Sequence, residues 1–170
     1  PDRSPADALH ARSMTDVPLL PSWWRALAAA DLIEITGSRV VPGPSAAVWT
    51  AEPLPPLELA EDLVGLTVYE YIFEALKVRS AFYASQEAAA TIAQLLGALG
   101  PRQVKPSVDA DELDRLLNAR ATRDLQHLVG VGVLEVDAER DIVVPHALRG
   151  TVARGVLSAL VMIGGAIETD

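Results

Sequence analysis

Histidine and carboxylate side chains are the residues of this sequence that could hold a metal ion or move a proton. The three histidines are His10, His127 and His146, and none stands at metal-ligand spacing from another. The chain has no cysteine, which excludes disulfides, thiolate metal sites and a cysteine nucleophile. We therefore expect no metal ion and no organic cofactor.

Sequence motifs for catalysis are also missing. The pairs Glu61-Asp62 and Asp111-Glu112 stand at helix starts, where carboxylates complement the helix dipole. Gly130-Val131-Gly132 lacks the third glycine and the preceding strand of a dinucleotide-binding loop. Neither a glycine-rich phosphate loop nor a Gly-x-Ser-x-Gly elbow occurs. The sequence predicts no catalytic residue and a protein that is not an enzyme; an enzyme of unrecognised type is the third hypothesis.

The elements that would position these side chains are mostly helices. The 170 residues are 50% hydrophobic and 22% charged, a composition typical of a folded domain with a core. Apolar spacing predicts helices near 18–30, 57–63, 67–78, 87–99, 111–117, 121–129 and 146–163, and a short one within 6–14. Segments 32–36 with 39–42, and 132–136 with 142–145, predict two small hairpins. We expect a mainly α fold with small β-hairpins.

One part of the sequence recurs at an offset of about 100 residues, far longer than the period of a solenoid repeat. Placing Ala26-Leu27 on His127-Leu128 also places Leu32-Ile33-Glu34-Ile35 on Val133-Leu134-Glu135-Val136. After the turn, Val40-Val41-Pro42 falls on Val143-Val144-Pro145. The pattern indicates two degenerate copies of one small domain.

The order of helices and a hairpin in residues 86–145 resembles the winged helix-turn-helix superfamily. The residues that carry the resemblance are Leu113-Asp114-Arg115-Leu116-Leu117 on the second helix, Leu125-Gln126-His127-Leu128 on the third, and Val133 to Val144 as the wing. Residues 18–42 resemble the last helix and wing of a similar module. The segment 24–33 also resembles bacterial proteins with repeated modules of this type, a likeness that implies no activity.

The resemblance implies tandem winged-helix-like modules. Residues 1–56 would form a partial module and a proline-rich connection, 57–84 connecting helices, and 85–170 a module with a C-terminal helix. In DNA-binding members of the superfamily, the third helix enters the major groove and the wing contacts phosphate. The resemblance gives these contacts, to DNA or to a partner, to Arg120, Thr122, Arg123, Gln126, His127 and Arg140.

Charge argues against DNA as the partner of these residues. Arginine and glutamine can read base edges, but phosphate neutralisation supplies most non-specific affinity. The formal net charge of the chain is −9, and Asp124, Asp137, Glu139 and Asp141 fall on the supposed reading helix and wing. The alternative is that the six residues are solvated positions. We expect weak binding to duplex DNA.

Adjacent tryptophans offer a different kind of contact. Trp23 and Trp24 diverge by about 100° on a helix, so both cannot face one core. Trp24 shares a face with Leu20 and Leu27 and is expected in the core. Trp23 then points to another surface, where it either packs against a neighbouring module or anchors a partner.

The closing helix carries the longest apolar run, from Gly155 to Ile167. The run is shorter than the roughly 20 residues that span a bilayer, so we expect a buried helix and no membrane contact. Its apolar arc is wide enough to be covered on two sides, by its own module and by the first module or a second copy. The predicted core residues elsewhere are Leu27, Leu32, Ile35, Leu116, Leu125, Leu128, Leu134 and Val136.

These observations favour a non-enzymatic regulatory or protein-interaction module in the cytoplasm of a bacterium. Its partner would be another protein or a second copy, bound through the C-terminal helix. A DNA-binding transcriptional regulator that uses residues 120–129 and the wing at 137–141 is the alternative. Because the chain begins at Pro1 without an initiating Met, we expect it to belong to a longer or processed protein.

Overall fold

Helices make up most of the chain that the computed structural model describes, which is residues 12–50, 55–77, 81–100 and 111–167. The helices are α1 (Leu20–Ala29), α2 (Ala46–Thr50), α3 (Leu57–Lys77), α4 (Ala81–Leu99), α5 (Glu112–Gly130) and α6 (Arg149–Ile167), with short 3-10 helices at Met14–Asp16 and His146–Leu148. Strand β1 (Ile33–Thr36) pairs antiparallel with β2 (Arg39–Pro42), and β3 (Glu135–Val136) with β4 (Ile142–Val143). The expected mainly helical fold with small hairpins is confirmed.

A single larger core joins α3, α4, α5, α6 and the second hairpin. Helix α3 packs against α1, α4 and α6, and α4 packs against α5. The fully buried large side chains in this core include Ile72, Leu95, Leu125, Leu128, Leu134, Val152 and Val156. Leu125, Leu128 and Leu134 were expected there, and this expectation is confirmed.

Helices α3 and α6 cross at a pair of glycines. A Cβ atom placed on Gly155 would lie 2.5 Å from the carbonyl oxygen of Gly65 and 3.0 Å from Cβ of Val68. The two backbones therefore come closer at this crossing than any side chain on residue 155 would permit. The sequence predicted two helices near 57–63 and 67–78, but α3 runs through Gly65 without interruption.

A second, smaller cluster holds the first hairpin to the bundle. Its buried residues are Ala26 of α1, Leu32 between α1 and β1, and Leu63 of α3. Trp23, Leu27 and Trp49 are partly buried against it. Trp23 thus packs against a neighbouring part of the chain, which is one of the two arrangements expected for it.

The two helix-to-hairpin junctions use the same hydrogen bonds. The amide of Leu32 donates to the carbonyl of Leu27 at 2.9 Å, and the amide of Val133 donates to the carbonyl of Leu128 at 3.0 Å. The residue before each donor has a positive φ, 54° at Asp31 and 79° at Gly132. A left-handed residue with a bond back to the last turn is a common helix end, and it turns the chain directly into the strand.

Helix α5 differs from the prediction of two short helices. It is continuous from Glu112 to Gly130, so no helix-turn-helix corner separates 111–117 from 121–129. No glycine or proline interrupts these residues, and the Asn118 side-chain amide donates to the Asp114 carbonyl one turn earlier. Among the described residues, 86–145 thus hold two helices before the second hairpin, not three.

Three residues expected in the core are exposed. Ile35 and Val136 lie in hairpins whose outer faces no other described element covers, and they are 54% and 47% exposed. Leu116 is 62% exposed because it sits about 140° around α5 from the buried Ala121. Helix α4 begins at Ala81, six residues before the start expected near residue 87. Residues 1–11, with His10 and most of the short helix expected at 6–14, lie outside the described part.

Candidate functional site

A cleft of about 630 Å³ lies between α3, α4, α5 and the segment before α1. We call it the main cleft. Residues 15–19, with Pro21 and Ser22, close one side of it. The bundle supplies Tyr71, Glu74, Ala75, Glu87, Thr91, Leu117, Arg120, Ala121, Asp124 and His127.

Two of the six residues predicted to make contacts, Arg120 and His127, line the main cleft. They lie seven residues apart, which puts them on one side of α5. Nη1 of Arg120 lies 3.5 Å from Oε1 of Glu87, and its Nε lies 3.9 Å from Oδ2 of Asp124. The Arg120 guanidinium is therefore engaged with carboxylates of α4 and α5.

The other four predicted contact residues lie outside the cleft lining. The Arg123 side chain is 72% exposed, with its Nε 3.7 Å from Oδ1 of Asp124. Thr122 is half-buried and Gln126 is exposed. Arg140 is exposed at the tip of the second hairpin, where its φ is 67°.

The tip of the second hairpin is organised by an aspartate. The Asp141 amide donates to Oδ1 of Asp137 at 2.8 Å, and the Arg140 amide donates to the Asp137 carbonyl at 3.1 Å. Glu139 adds another carboxylate beside Arg140. The tip segment 137–141 thus carries three carboxylates and one guanidinium, so its net negative charge opposes a polyanion.

Carboxylates from four different elements reach the main cleft: Asp16, Glu74 of α3, Glu87 of α4 and Asp124 of α5. Oδ2 of Asp16 accepts hydrogen bonds from the amides of Arg12 and Ser13 at 2.8 and 2.9 Å. These side chains are separated by up to about a hundred residues in sequence, so no local spacing of residues predicts that they lie together.

Arg25 joins α1 to α3 at the edge of the cleft. Its Nε donates to Oε2 of Glu70 at 2.7 Å, and its Nη2 forms an ion pair with Glu74. Glu70 and Glu74 lie one turn apart on α3, so one guanidinium spans both carboxylates. This contact holds α1 against α3.

Tyr71 is the aromatic side chain in the cleft lining. Burial raises the pKa of its hydroxyl, and the negative charge of Asp124 raises the pKa further. The phenol therefore stays protonated at neutral pH and can both donate and accept a hydrogen bond. Among the described residues, no three His, Asp or Glu side chains are arranged to hold a metal ion.

Helix α6 presents a second feature, an apolar face turned to solvent. Its helical state was expected and is confirmed, and Val152, Val156 and Ala159 are buried in the larger core. On the other side, Leu157, Leu160, Val161 and Met162 are 58%, 38%, 72% and 56% exposed. We call the residues Leu157, Leu160 and Val161, which share one side by their helical spacing, the α6 stripe. Among the described residues of one copy, α6 is therefore covered on one side, and the expected cover by a second copy stays a prediction.

The 19 residues from His146 to Gly164 are long and apolar enough to cross a membrane by length and composition. Because one side of α6 is built into the core with α3 and α4, such a crossing would require this core to open. Comparison of the chain with known protein families, with curated proteins and with solved structures found no match.

Proposed function

We propose that this chain is a non-enzymatic interaction module, built from winged-helix-like units, that pairs with a second copy of itself through the α6 stripe. The observation that carries the proposal is the exposure of large apolar side chains on a helix whose opposite side is fully packed. Exposed apolar patches of this kind are typical of contact surfaces.

The chemistry of the stripe favours a second copy as the partner. The sequence from Gly155 to Ile167 contains no charged residue, so the stripe offers a partner only apolar surface. A two-fold pairing places the stripe of one copy against the stripe of the other. Each stripe residue is then buried in both copies. Fully burying a Leu or Val side chain contributes about 1.5–3 kcal/mol, so a few such residues can support a dimer.

DNA regulation is less well supported as a function. Arg120 is engaged by Glu87 and Asp124, Arg123 lies beside Asp124, and Arg140 is surrounded by acidic side chains. The candidate residues thus form no continuous positive face. The continuous α5 also lacks the corner that would separate a reading helix from the helix before it.

The test of the pairing is sedimentation velocity over a concentration series, with Val161→Glu and Leu57→Glu as matched variants. Both residues are strongly exposed, at 72% and 73%, but Leu57 lies at the start of α3 and outside the stripe. We expect the parent chain and Leu57→Glu to form dimers, and Val161→Glu to remain monomeric with the circular dichroism spectrum of the folded parent.

Varying the salt concentration and adding lipid vesicles distinguish pairing of two copies from binding to a membrane surface. Two copies that each carry a charge of −9 repel one another, so added salt should strengthen the dimer. Parent chain that stays monomeric up to its solubility limit would contradict the proposal. Flotation of the monomer with lipid vesicles, lost in Val161→Glu, would instead assign the stripe to a membrane surface.

A further inference from the structure

The main cleft is separate from the α6 stripe and has the size of a ligand site. Its volume of about 630 Å³ falls within the roughly 300–1,000 Å³ of small-molecule pockets. It lies where three helices and the segment before α1 meet, and four separate stretches of chain form its walls. None of the proposed pairing surface is used to build it, so it calls for a different occupant.

The charge of the lining selects the sign of that occupant. In the lining, Asp16, Glu74, Glu87 and Asp124 contribute four negative charges and Arg120 contributes one positive charge. Arg25 lies outside the lining but pairs with Glu74 and adds a second positive charge. The sum is two negative charges when His127 is neutral.

The two ion pairs of Arg120 in the lining are long. Arg120 lies 3.5 and 3.9 Å from its two carboxylate partners, farther than the 2.7–2.9 Å of a close charge-assisted hydrogen bond. A cationic group that entered the cleft could approach these carboxylates more closely than Arg120 does.

The remaining lining indicates what else the ligand carries. Val17, Leu19, Pro21, Ala75 and Leu117 provide apolar surface. Tyr71 adds an aromatic ring, and rings attract cations as well as apolar groups. A fully hydrated inorganic cation would leave this apolar surface in contact with water.

We propose that the main cleft binds a small organic cation, an amine carried on an apolar or aromatic body. The amine contacts the carboxylates of Glu87 and Asp124, and the body lies against Tyr71 and the apolar wall. The residues that the sequence offered for DNA contact, Arg120 and His127, line this site instead of a nucleic-acid surface.

The test is calorimetric titration of the full chain with three probes of one shape: 3-phenylpropylamine, 3-phenylpropanol and 3-phenylpropionate. We expect the amine to bind and the carboxylate not to bind, with the alcohol weaker than the amine by about tenfold. Equal affinity for amine and carboxylate, or no detectable binding of the amine, would overturn the proposal.

Variants separate the cleft from general charge attraction. Glu87→Gln and Asp124→Asn should each weaken amine binding about tenfold, since each removes an ionic hydrogen-bond acceptor. Asp62→Asn removes the same charge from α3 outside the main cleft, where Asp62 pairs with Arg154 at 3.2 Å, and should leave the affinity unchanged. An equal loss in Asp62→Asn would refute binding in the cleft.

A space-filling variant keeps the test decisive if the charge variants fold poorly. Ala75→Trp changes no charge and places an indole in the cleft from a half-buried position. We expect amine binding to disappear while the far-ultraviolet circular dichroism spectrum is retained. Unchanged binding in a folded Ala75→Trp chain would place the amine elsewhere and refute the proposal.

Discussion

Replacing Gly155 with alanine should destabilise the protein at the crossing of α3 and α6. The new Cβ atom would lie 2.5 Å from the Gly65 carbonyl oxygen, on the backbone of the neighbouring helix. It would also lie 3.0 Å from Cβ of Val68, which is fully buried. Neither atom is the end of a flexible side chain, so the helices themselves must move apart to admit the methyl group.

Two effects of opposite sign decide the size of this change. Alanine is favoured over glycine inside a helix by about 1 kcal/mol. Overpacking of a well-packed core costs about 1–3 kcal/mol, and more where the collision is with backbone. Because a carbon–oxygen distance of 2.5 Å is far inside van der Waals contact, the collision outweighs the propensity gain. We expect a net loss of up to about 2 kcal/mol in the free energy of unfolding relative to the parent chain.

Urea denaturation followed by circular dichroism measures this difference, with Gly150→Ala as the control. Gly150 is also in α6, but a Cβ atom there would meet no atom within 4 Å. The control should therefore be as stable as the parent or more stable by up to about 1 kcal/mol. If Gly155→Ala were as stable as Gly150→Ala, the close crossing of the two helices would be wrong.

Three further variants test the core and the buried phenol. Leu128→Ala should cost about 2–5 kcal/mol because Leu128 is fully buried, whereas Leu116→Ala, at 62% exposed, should cost less than about 0.5 kcal/mol; similar losses in denaturant melts would contradict the orientation of α5. Tyr71 keeps its proton in the folded state to higher pH than in the unfolded chain, where it titrates near 10, because its folded pKa is raised. The free energy of unfolding should thus fall as pH rises above about 10, and less steeply in Tyr71→Phe; parallel slopes for parent and variant would refute the raised pKa.

The hairpins were predictable because their signals are local. β-prone residues on both sides of Gly37-Ser38 predicted β1 and β2, and the structure places the strands within one residue of those bounds. The helix ends before the hairpins follow the same logic, since Gly132 is suited to its positive φ. Asp31 has a positive φ at the equivalent place without being glycine, so its residue type alone did not predict this conformation.

Burial was less predictable, because it depends on what the rest of the chain covers. Leu116 and Leu125 have the same residue type on the same helix, yet one faces solvent and the other the core. The helical boundary expected near residue 120 had no physical cause, since neither glycine nor proline stands there. The sequence therefore located apolar helices well and their inward faces only in part.

The main cleft could not be found from the sequence. Asp16, Tyr71, Glu87 and Asp124 come from four elements, and no spacing rule connects them. Arg120 and His127 were selected as exposed positions on a helix, but the packing of α5 against α4 directs them to the cleft. The α6 stripe had a sequence signal, because α6 carries more apolar residues than one buried face requires. The structure places these extra residues at the surface.

The most direct test of the proposed pairing is an intermolecular distance across the α6 helices. The chain has no cysteine, so a single nitroxide label can be attached through Ser158→Cys, at an exposed position beside the stripe. Packed helices lie about 8–10 Å apart, so two such labels in a dimer should give a sharp distance below about 30 Å by pulsed electron resonance. Labels at Ser38→Cys in the first hairpin should give no such short distance. Absence of a short distance at position 158 under conditions where dimers form would contradict the pairing of two copies through α6.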